Sequence, residues 1–283
     1  MAGDDSGGGA GDGTADGTAP GAWDPAQYDR FHDERSRPFY DLASMIERAP
    51  GMRVIDLGCG TGELTAWLHG ELDAAETLGV DSSPEMLTLA APRAASAHEG
   101  LRFERGEIVE LCAEPGRAGR YDLVFSNAAL QWILDHETLI PRVATLVAPG
   151  GQLAVQVPAN GDHVAYRLAY ELAGEHPYAT ALDGWRREDP VLAPEWYAET
   201  LFALGFEPPR VRLEVYPHVL PDTLGVVEWM KGSLLTPYRA RLPAALYDRF
   251  VAEHERRVVA ELGEHSPYFY PFKRILMHAR RPA

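Results

Sequence analysis

The run Val54-Ile55-Asp56-Leu57-Gly58-Cys59-Gly60-Thr61-Gly62 constrains the fold of this chain more than any other stretch. Four residues of a short strand enter a turn with glycine at every second position, and a helical segment over 63–72 follows. Glycine reaches backbone angles closed to other residues and lets a ligand come close to the main chain. The first turn of the next helix offers free N–H groups and a positive dipole end to an anionic group. In an open α/β sheet such a turn lies at the carboxyl ends of the strands, where ligands bind. The rhythm continues, with strands predicted over 77–81, 101–104, 121–126 and 152–157 and helices over 84–97 and 136–147. Strands spaced by helical stretches imply βαβ units and a parallel sheet wound with the right hand.

The pattern differs on either side of this core. Residues 1–22 are dominated by Gly, Ala, Asp and Thr with no Lys or Arg, a composition that cannot bury enough surface to order itself, so a disordered tail is expected. Order is expected from Trp23, with Asp24 as N-cap and Pro25 at the first helical position. Tyr28, Phe31, Phe39, Tyr40, Leu42 and Ile46 recur at helical spacing broken near Pro38, which predicts two short helices. Beyond Pro158, helices are predicted over 162–175, 194–204, 220–235 and 243–262, with strands over 211–216 and 272–279. The late helices lie between two strands that can join the same sheet, so they should cap one edge of it. The expected organisation is one unit over 23–283: lid helices over 23–50, a ligand-binding core over 51–160, and a cap with closing strands over 161–283.

Charge and cysteine content limit the partners. With 26 Lys+Arg against 42 Asp+Glu the chain carries −16, which argues against a basic face for nucleic acid or an anionic membrane. Asp4, Asp5, Asp12 and Asp16 account for −4 of this, leaving −12 on the body. Cys59 and Cys112 form no CxxC pair, so neither a disulfide scaffold nor a cysteine zinc site is expected, and a reducing cytoplasm is the natural compartment. His32, His136 and His163 show no metal-ligand spacing, and no metal is expected. No apolar run reaches the about 18 residues a bilayer requires. The acidic opening also lacks the regions of a signal peptide.

A dinucleotide fingerprint reads G-x-G-x-x-G, and here Glu63 stands where its third glycine would need a different spacing, which weakens a nicotinamide oxidoreductase. Asp56, two places ahead of the first glycine, suits a cationic or zwitterionic ligand better than a pyrophosphate. Asp81 ends the second strand 21 residues past Gly60, the spacing at which a carboxylate reaches ribose hydroxyls. The D-x-G-x-G-x-G turn with that downstream Asp resembles the seven-stranded S-adenosylmethionine-dependent methyltransferases. The resemblance implies a Rossmann-like α/β sheet with helices on both faces and a helical cap. It also implies a donor site at Asp56, Gly58, Gly60, Gly62 and Asp81, with Ser82 and Met86 flanking ribose and adenine. Glu107 would lie near the adenine, and Asn127 and Ala128 would face the methionine portion.

The resemblance narrows along the chain. Trp23-Asp24-Pro25-x-x-Tyr28-x-x-Phe31, Glu34-Arg35-Ser36-Arg37-Pro38 and Ser126-Asn127-Ala128-Ala129-Leu130-Gln131-Trp132 are similar to trans-aconitate 2-methyltransferases. So are Asp81-Ser82-Ser83-Pro84-Glu85-Met86-Leu87, Leu153-Ala154-Val155-Gln156-Val157-Pro158, Glu228-Trp229-Met230-Lys231-Gly232-Ser233 and Phe269-Tyr270-Pro271-Phe272-Lys273-Arg274. The match runs from Trp23 onward. It implies methylation of a carboxylate of a small polycarboxylate to a monomethyl ester, which needs no general base because the acceptor is already ionised. Anchors for the other carboxylates should be basic, arginine above all, because its planar fork meets a carboxylate through two parallel bonds. Arg35, Arg37, Lys231 and Arg239 are the candidates, and Tyr28 and Trp132 are placed to close over the sulfonium, since aromatic faces attract onium cations. Many members of that family carry Arg just before the proline of Leu235-Thr236-Pro237-Tyr238. This chain has Thr236, and Arg239 is the candidate substitute. Another methyl acceptor, an acyl-carrier-bound carboxylate among them, and a protein that binds the donor without catalysis are the competing readings. Monomer and dimer are equally open.

Overall fold

Leu123, Val124 and Phe125 are consecutive in the chain and all fully buried, which only a strand covered on both faces permits. The structure, a computed structural model, describes residues 32–96 and 99–283. Its sheet has seven strands: β1 (Arg53–Leu57), β2 (Glu76–Asp81), β3 (Leu101–Arg105), β4 (Tyr121–Asn127), β5 (Val147–Pro158), β6 (Arg210–Leu220) and β7 (Tyr268–Arg280), in the order β3-β2-β1-β4-β5-β7-β6. The first five are parallel, and β7 runs antiparallel to both β5 and β6.

Side chains alternate across each strand and so sort into two layers. Ile55, Leu57, Val124, Val155, Ile275 and Met277 face one core, where helices α5 (His136–Thr145) and α8 (Pro194–Ala203) supply Leu139, Ile140, Val143 and Tyr197. Val54, Leu123, Phe125, Ala154 and Leu276 face the other, covered by α1 (His32–Ala43) and α2 (Glu63–Glu71) through Phe39, Leu42 and Leu68. Phe39 packs on Phe125 with ring centroids 4.9 Å apart. Helix α3 (Pro84–Ser96) packs on β3, and α4 (Ile108–Leu111) follows it.

A third cluster lies beyond the carboxyl ends of the strands. Helices α6 (Val164–Ala173), α7 (Tyr178–Ala181), α9 (Gly225–Lys231), α10 (Thr236–Arg241) and α11 (Ala244–Leu262) bury Leu168, Met230, Tyr238 and Phe250 against Leu220, Tyr270 and Phe272. The helix predicted over 243–262 is therefore present, the one predicted over 220–235 is reduced to the shorter α9, and both share one core with the ends of β6 and β7.

Several boundaries differ from expectation. Helix α1 continues through Pro38, because burial of Phe39 and Leu42 offsets the one backbone bond that proline removes. Strand β5 begins at Val147 and passes through Pro149-Gly150-Gly151, which reads as a turn in sequence. The span 220–235 is the end of β6 followed by a loop and short helices. The tail over 1–22, the first lid helix and Tyr28 lie outside the described residues. No described helix is long and apolar enough to cross a membrane.

Candidate active site

The strand order reverses between β1 and β4, and a cavity of about 610 Å³ opens at the carboxyl ends of the strands there. The glycine turn forms one wall. Gly58 and Cys59 donate their amides to the Val80 carbonyl at 2.8 and 3.0 Å, which pins the turn to β2. Gly58 has φ +82°, and a Cβ there would meet the Ala129 Cβ at 2.2 Å, so no larger residue fits between β1 and the end of β4. Gly60, at φ +55°, lines the cavity and a Cβ there would meet nothing within 4 Å. Gly62 does not line the cavity. It lets α2 start against Phe103 and Ala90.

Two carboxylates face this wall. Asp56 is buried and accepts the Thr65 hydroxyl proton. Burial pushes its carboxyl up to about 7, with the Thr65 bond opposing the rise and the Asp81 charge adding to it. Asp81 accepts the Gly60 amide at 2.8 Å and the Ser83 amide at 2.9 Å, tying the turn to the start of α3. Ser83 and Met86 line the cavity, whereas Ser82 is exposed outside it. Glu107, predicted beside the adenine, is also exposed and outside the lining, as the backbone N-cap of α4. Cys59 lines the cavity, and burial with the nearby Asp56 and Asp81 charges pushes its thiol well above the ordinary range, so it is no thiolate nucleophile.

At the end of β4, Asn127 and Ala128 both line the cavity. Ala128 holds φ +54°, a left-handed backbone that costs an alanine about 1–2 kcal/mol. Its amide donates to the Gln156 carbonyl at 3.0 Å, and its own carbonyl accepts the Gln131 side-chain amide at 2.6 Å. Strain held in place this way is found at functional sites. The side-chain oxygens of Asn127 and Gln131 are buried with no hydrogen-bond partner. Trp132, on the 3₁₀ turn Leu130–Trp132, lines the mouth.

The far wall comes from the cap and β7. Arg274, only 3% exposed, pairs across the sheet with Pro158 and reaches Gln156 Oε1 at 3.4 Å. Its guanidinium stacks over Phe272 at 4.7 Å and Tyr216 at 5.6 Å. Asn160 holds β7 here, donating to the Lys273 carbonyl at 3.0 Å and accepting its amide at 2.8 Å. Tyr166, Tyr170, Arg187, Asp189 and Ser233 complete the wall. Burial pushes the Tyr166 hydroxyl up to about 12.

Three of the four predicted anchors lie outside the cavity lining. Lys231 is outside the cavity lining and ion-paired with Glu228 and Glu255. Arg239 is exposed near the end of α10 and also outside the lining, so the structure does not bring it to the cavity as a stand-in for the arginine replaced by Thr236. Arg37 is exposed, within 3.9 Å of the Asp41 carboxylate. Nothing is described of the Arg35 side chain. Among the described residues three arginines line the cavity: Arg93 is held at the donor end by the Thr61 carbonyl and the Glu63 carboxylate, while Arg187 and Arg274, on the cap side, escape sequence reasoning for different reasons. Arg274 sits in a quoted family-like segment, and the period-two alternation of β7 puts it on the Phe272 face. Arg187 lies in an aperiodic stretch with no such signal. Among the described residues no group of three His, Cys, Asp or Glu is arranged to hold a metal ion.

A family model described as a methyltransferase domain matches residues 54–151. The chain is 44% identical to a trans-aconitate 2-methyltransferase of Deinococcus radiodurans, over 92% of this chain and 98% of that protein. It is 38% identical to the enzyme of that name from Variovorax paradoxus, covering 83% and 88%, and to that of Streptomyces avermitilis, covering 93% and 98%. Among solved structures, the YcgJ protein of Bacillus subtilis superposes with a TM-score of 0.56 at 17% identity, covering 87% of this chain and 99% of that one. Phosphoethanolamine N-methyltransferase 2 of Haemonchus contortus, in complex with S-adenosyl-L-methionine, gives 0.52 at 17% identity, covering 87% and 53%. These two likenesses establish the fold.

Proposed function

The chain belongs to the trans-aconitate 2-methyltransferase family, and from that membership we propose that it transfers a methyl group from S-adenosylmethionine to one carboxylate of trans-aconitate or a similar small polycarboxylate. The observation that carries the reading is one cavity walled on one side by the glycine turn and on the other by the buried Arg274 guanidinium. When bound, S-adenosylmethionine supplies a methyl group on a positively charged sulfur.

The residues present fit that donor. Gly60 leaves open space where a side chain would stand, Asp81 presents a carboxylate at the end of β2, and Asn127 offers a buried, unpartnered oxygen. We assign donor binding to Asp56, Gly58, Gly60, Asp81, Ser83, Met86, Asn127 and Ala128. Ser36 and Phe39 of α1 line the same cavity, which supports a lid role for that helix.

The chain's task is then to orient and to exclude water. A carboxylate acceptor is ionised at neutral pH, so no side chain has to take a proton. Opposite charges neutralise one another during transfer, and a cavity closed to water favours that neutralisation. A carboxylate gripped by a guanidinium is a poorer nucleophile, so Arg274 serves by holding a carboxylate that does not react. Alignment of the reacting pair supplies most of the remaining acceleration, with effective molarities of about 10⁵–10⁸ M for well-oriented groups.

The test is incubation with methyl-labelled S-adenosylmethionine and a panel of mono-, di- and tricarboxylates, with mass spectrometry of the ester. A monomethyl ester of a polycarboxylate is expected, and no ester from any carboxylate would overturn the proposal. With both substrates saturating, the chemical step should be flat from about pH 6.5 to 9. A rise of unit slope across that range would reveal a proton-abstracting residue.

Donor affinity should behave differently. Asp56, raised to about 7, is protonated at lower pH, and its ionised form attracts a cation. Affinity for S-adenosylmethionine, read by calorimetry, should therefore rise about five- to tenfold between roughly pH 6 and 7.5, with proton release on binding. The sign for folding is opposite: the raised carboxyl contributes stability that is complete below its ordinary value of 3.8 and lost as pH rises through about 7.

A further inference from the structure

Arg187 stands apart from the other cations of the cap. Arg257 is matched by two hydrogen bonds of 2.7 Å to the Glu175 carboxylate, and Arg241 lies 4.1 Å over the Trp185 ring. Arg187 lines the cavity with its Nε buried and without a hydrogen-bond partner. Its guanidinium lies 5.8 Å from the Trp132 ring centre, and burial followed by the Asp189 charge raises the Tyr170 hydroxyl, with the charge of Arg187 and a hydrogen bond from it opposing that rise. Among the described residues no carboxylate approaches it within the 4.0 Å of an ion pair. Asp189 faces the same space, but its Oδ1 accepts the Val191 amide at 3.1 Å and its other oxygen packs where a Gly161 Cβ would stand, 2.0 Å away. A half-buried guanidinium that lines a cavity, has no carboxylate partner and keeps its Nε unpaired is costly unless an anion completes it.

We propose that Arg187 receives a second non-reacting carboxylate of the acceptor and so selects tricarboxylates over mono- and dicarboxylates. This rests on the carboxylate methyl transfer proposed above and adds a count to it. One carboxylate reacts, Arg274 holds another from the sheet, and Arg187 holds a third from the irregular segment between α7 and α8. Trp132 backs the guanidinium with an aromatic face, which keeps its fork turned to the ligand. The two anchors differ in rigidity: Arg274 is fixed by the β5–β7 pairing, whereas Arg187 arrives on a loop.

The experiment compares Arg187→Met and Arg187→Lys with the unmodified enzyme, using trans-aconitate and a monocarboxylate and a dicarboxylate of related skeleton. For Arg187→Met the KM for the tricarboxylate should rise about 10- to 100-fold with kcat changed far less, the loss of one charge-assisted contact. KM for the monocarboxylate and the affinity for S-adenosylmethionine should stay unchanged. Arg187→Lys should recover part of the lost KM, because it restores the charge without the fork. An equal rise for all acceptors, or no rise for the tricarboxylate, overturns the anchor while leaving the reaction standing. Failure of the unmodified enzyme to esterify any carboxylate overturns both.

Discussion

Gly60→Val is expected to weaken S-adenosylmethionine binding by at least about 100-fold, measured by calorimetry, while the chain still folds. A Cβ added at Gly60 would enter open space, with no protein atom within 4 Å, so the valine branch is directed into the cavity instead of into the core. The amide of residue 60 keeps its bond to Asp81, which preserves the shape of the turn. The cost to the fold is the left-handed φ of +55°, about 1–2 kcal/mol for a residue with a side chain, or roughly 2–8 °C in Tm for a chain of this size. Gly58→Val would be a poor substitute, because its side chain collides with Ala129 and disturbs β4 as well. Retained affinity in a folded Gly60→Val protein would show that the donor does not approach the backbone there.

Arg274→Met should lower kcat/KM for the acceptor by about 10²–10³-fold, the usual size of losing one partner of a buried charge contact. Methionine keeps much of the volume that packs over Phe272 and Tyr216, so the change falls on charge more than on packing. Binding of S-adenosylmethionine, measured on the same protein, reports whether the glycine turn is intact. The expected pattern is donor affinity within about twofold of the unmodified enzyme beside the large loss in acceptor turnover. Unchanged acceptor kinetics would remove Arg274 from the site.

The middles of β1, β2, β4 and the second half of β5 were legible through short apolar runs such as Leu123-Val124-Phe125, the mark of a parallel sheet buried on both faces, whereas the edge strand β3 buries only Leu101 and was legible through its place between helices. The glycine turn and Asp81 were legible through spacing alone, since a fixed number of residues separates the ends of neighbouring strands. The reach of β6 and β7 was hidden by proline. Pro217 and Pro271 stand opposite each other in the β6–β7 register, so the backbone bonds they cannot make fall at one shared position and pairing resumes on either side. Read singly, each proline ends a strand. The acceptor wall was hidden for another reason: Arg187, Tyr166 and Ser233 come from three separate cap segments whose meeting depends on packing, which no periodicity encodes. The shift from Ser82 to Ser83 is one of single-residue precision, decided by which serine turns its side chain inward at the start of α3.

β7 follows β6 in the chain yet lies between β6 and β5. As a nascent polypeptide lengthens, β6 therefore has no sheet neighbour to join until the segment after α11 has been made and slipped into the gap. The sheet side of the acceptor wall, Phe272 and Arg274 on β7, is assembled at that same late moment. A partly synthesised protein can complete its glycine turn and carry Arg187 and Tyr166, but it lacks Arg274 and Phe272 until this insertion occurs, so the two ends of the pocket are completed at different times.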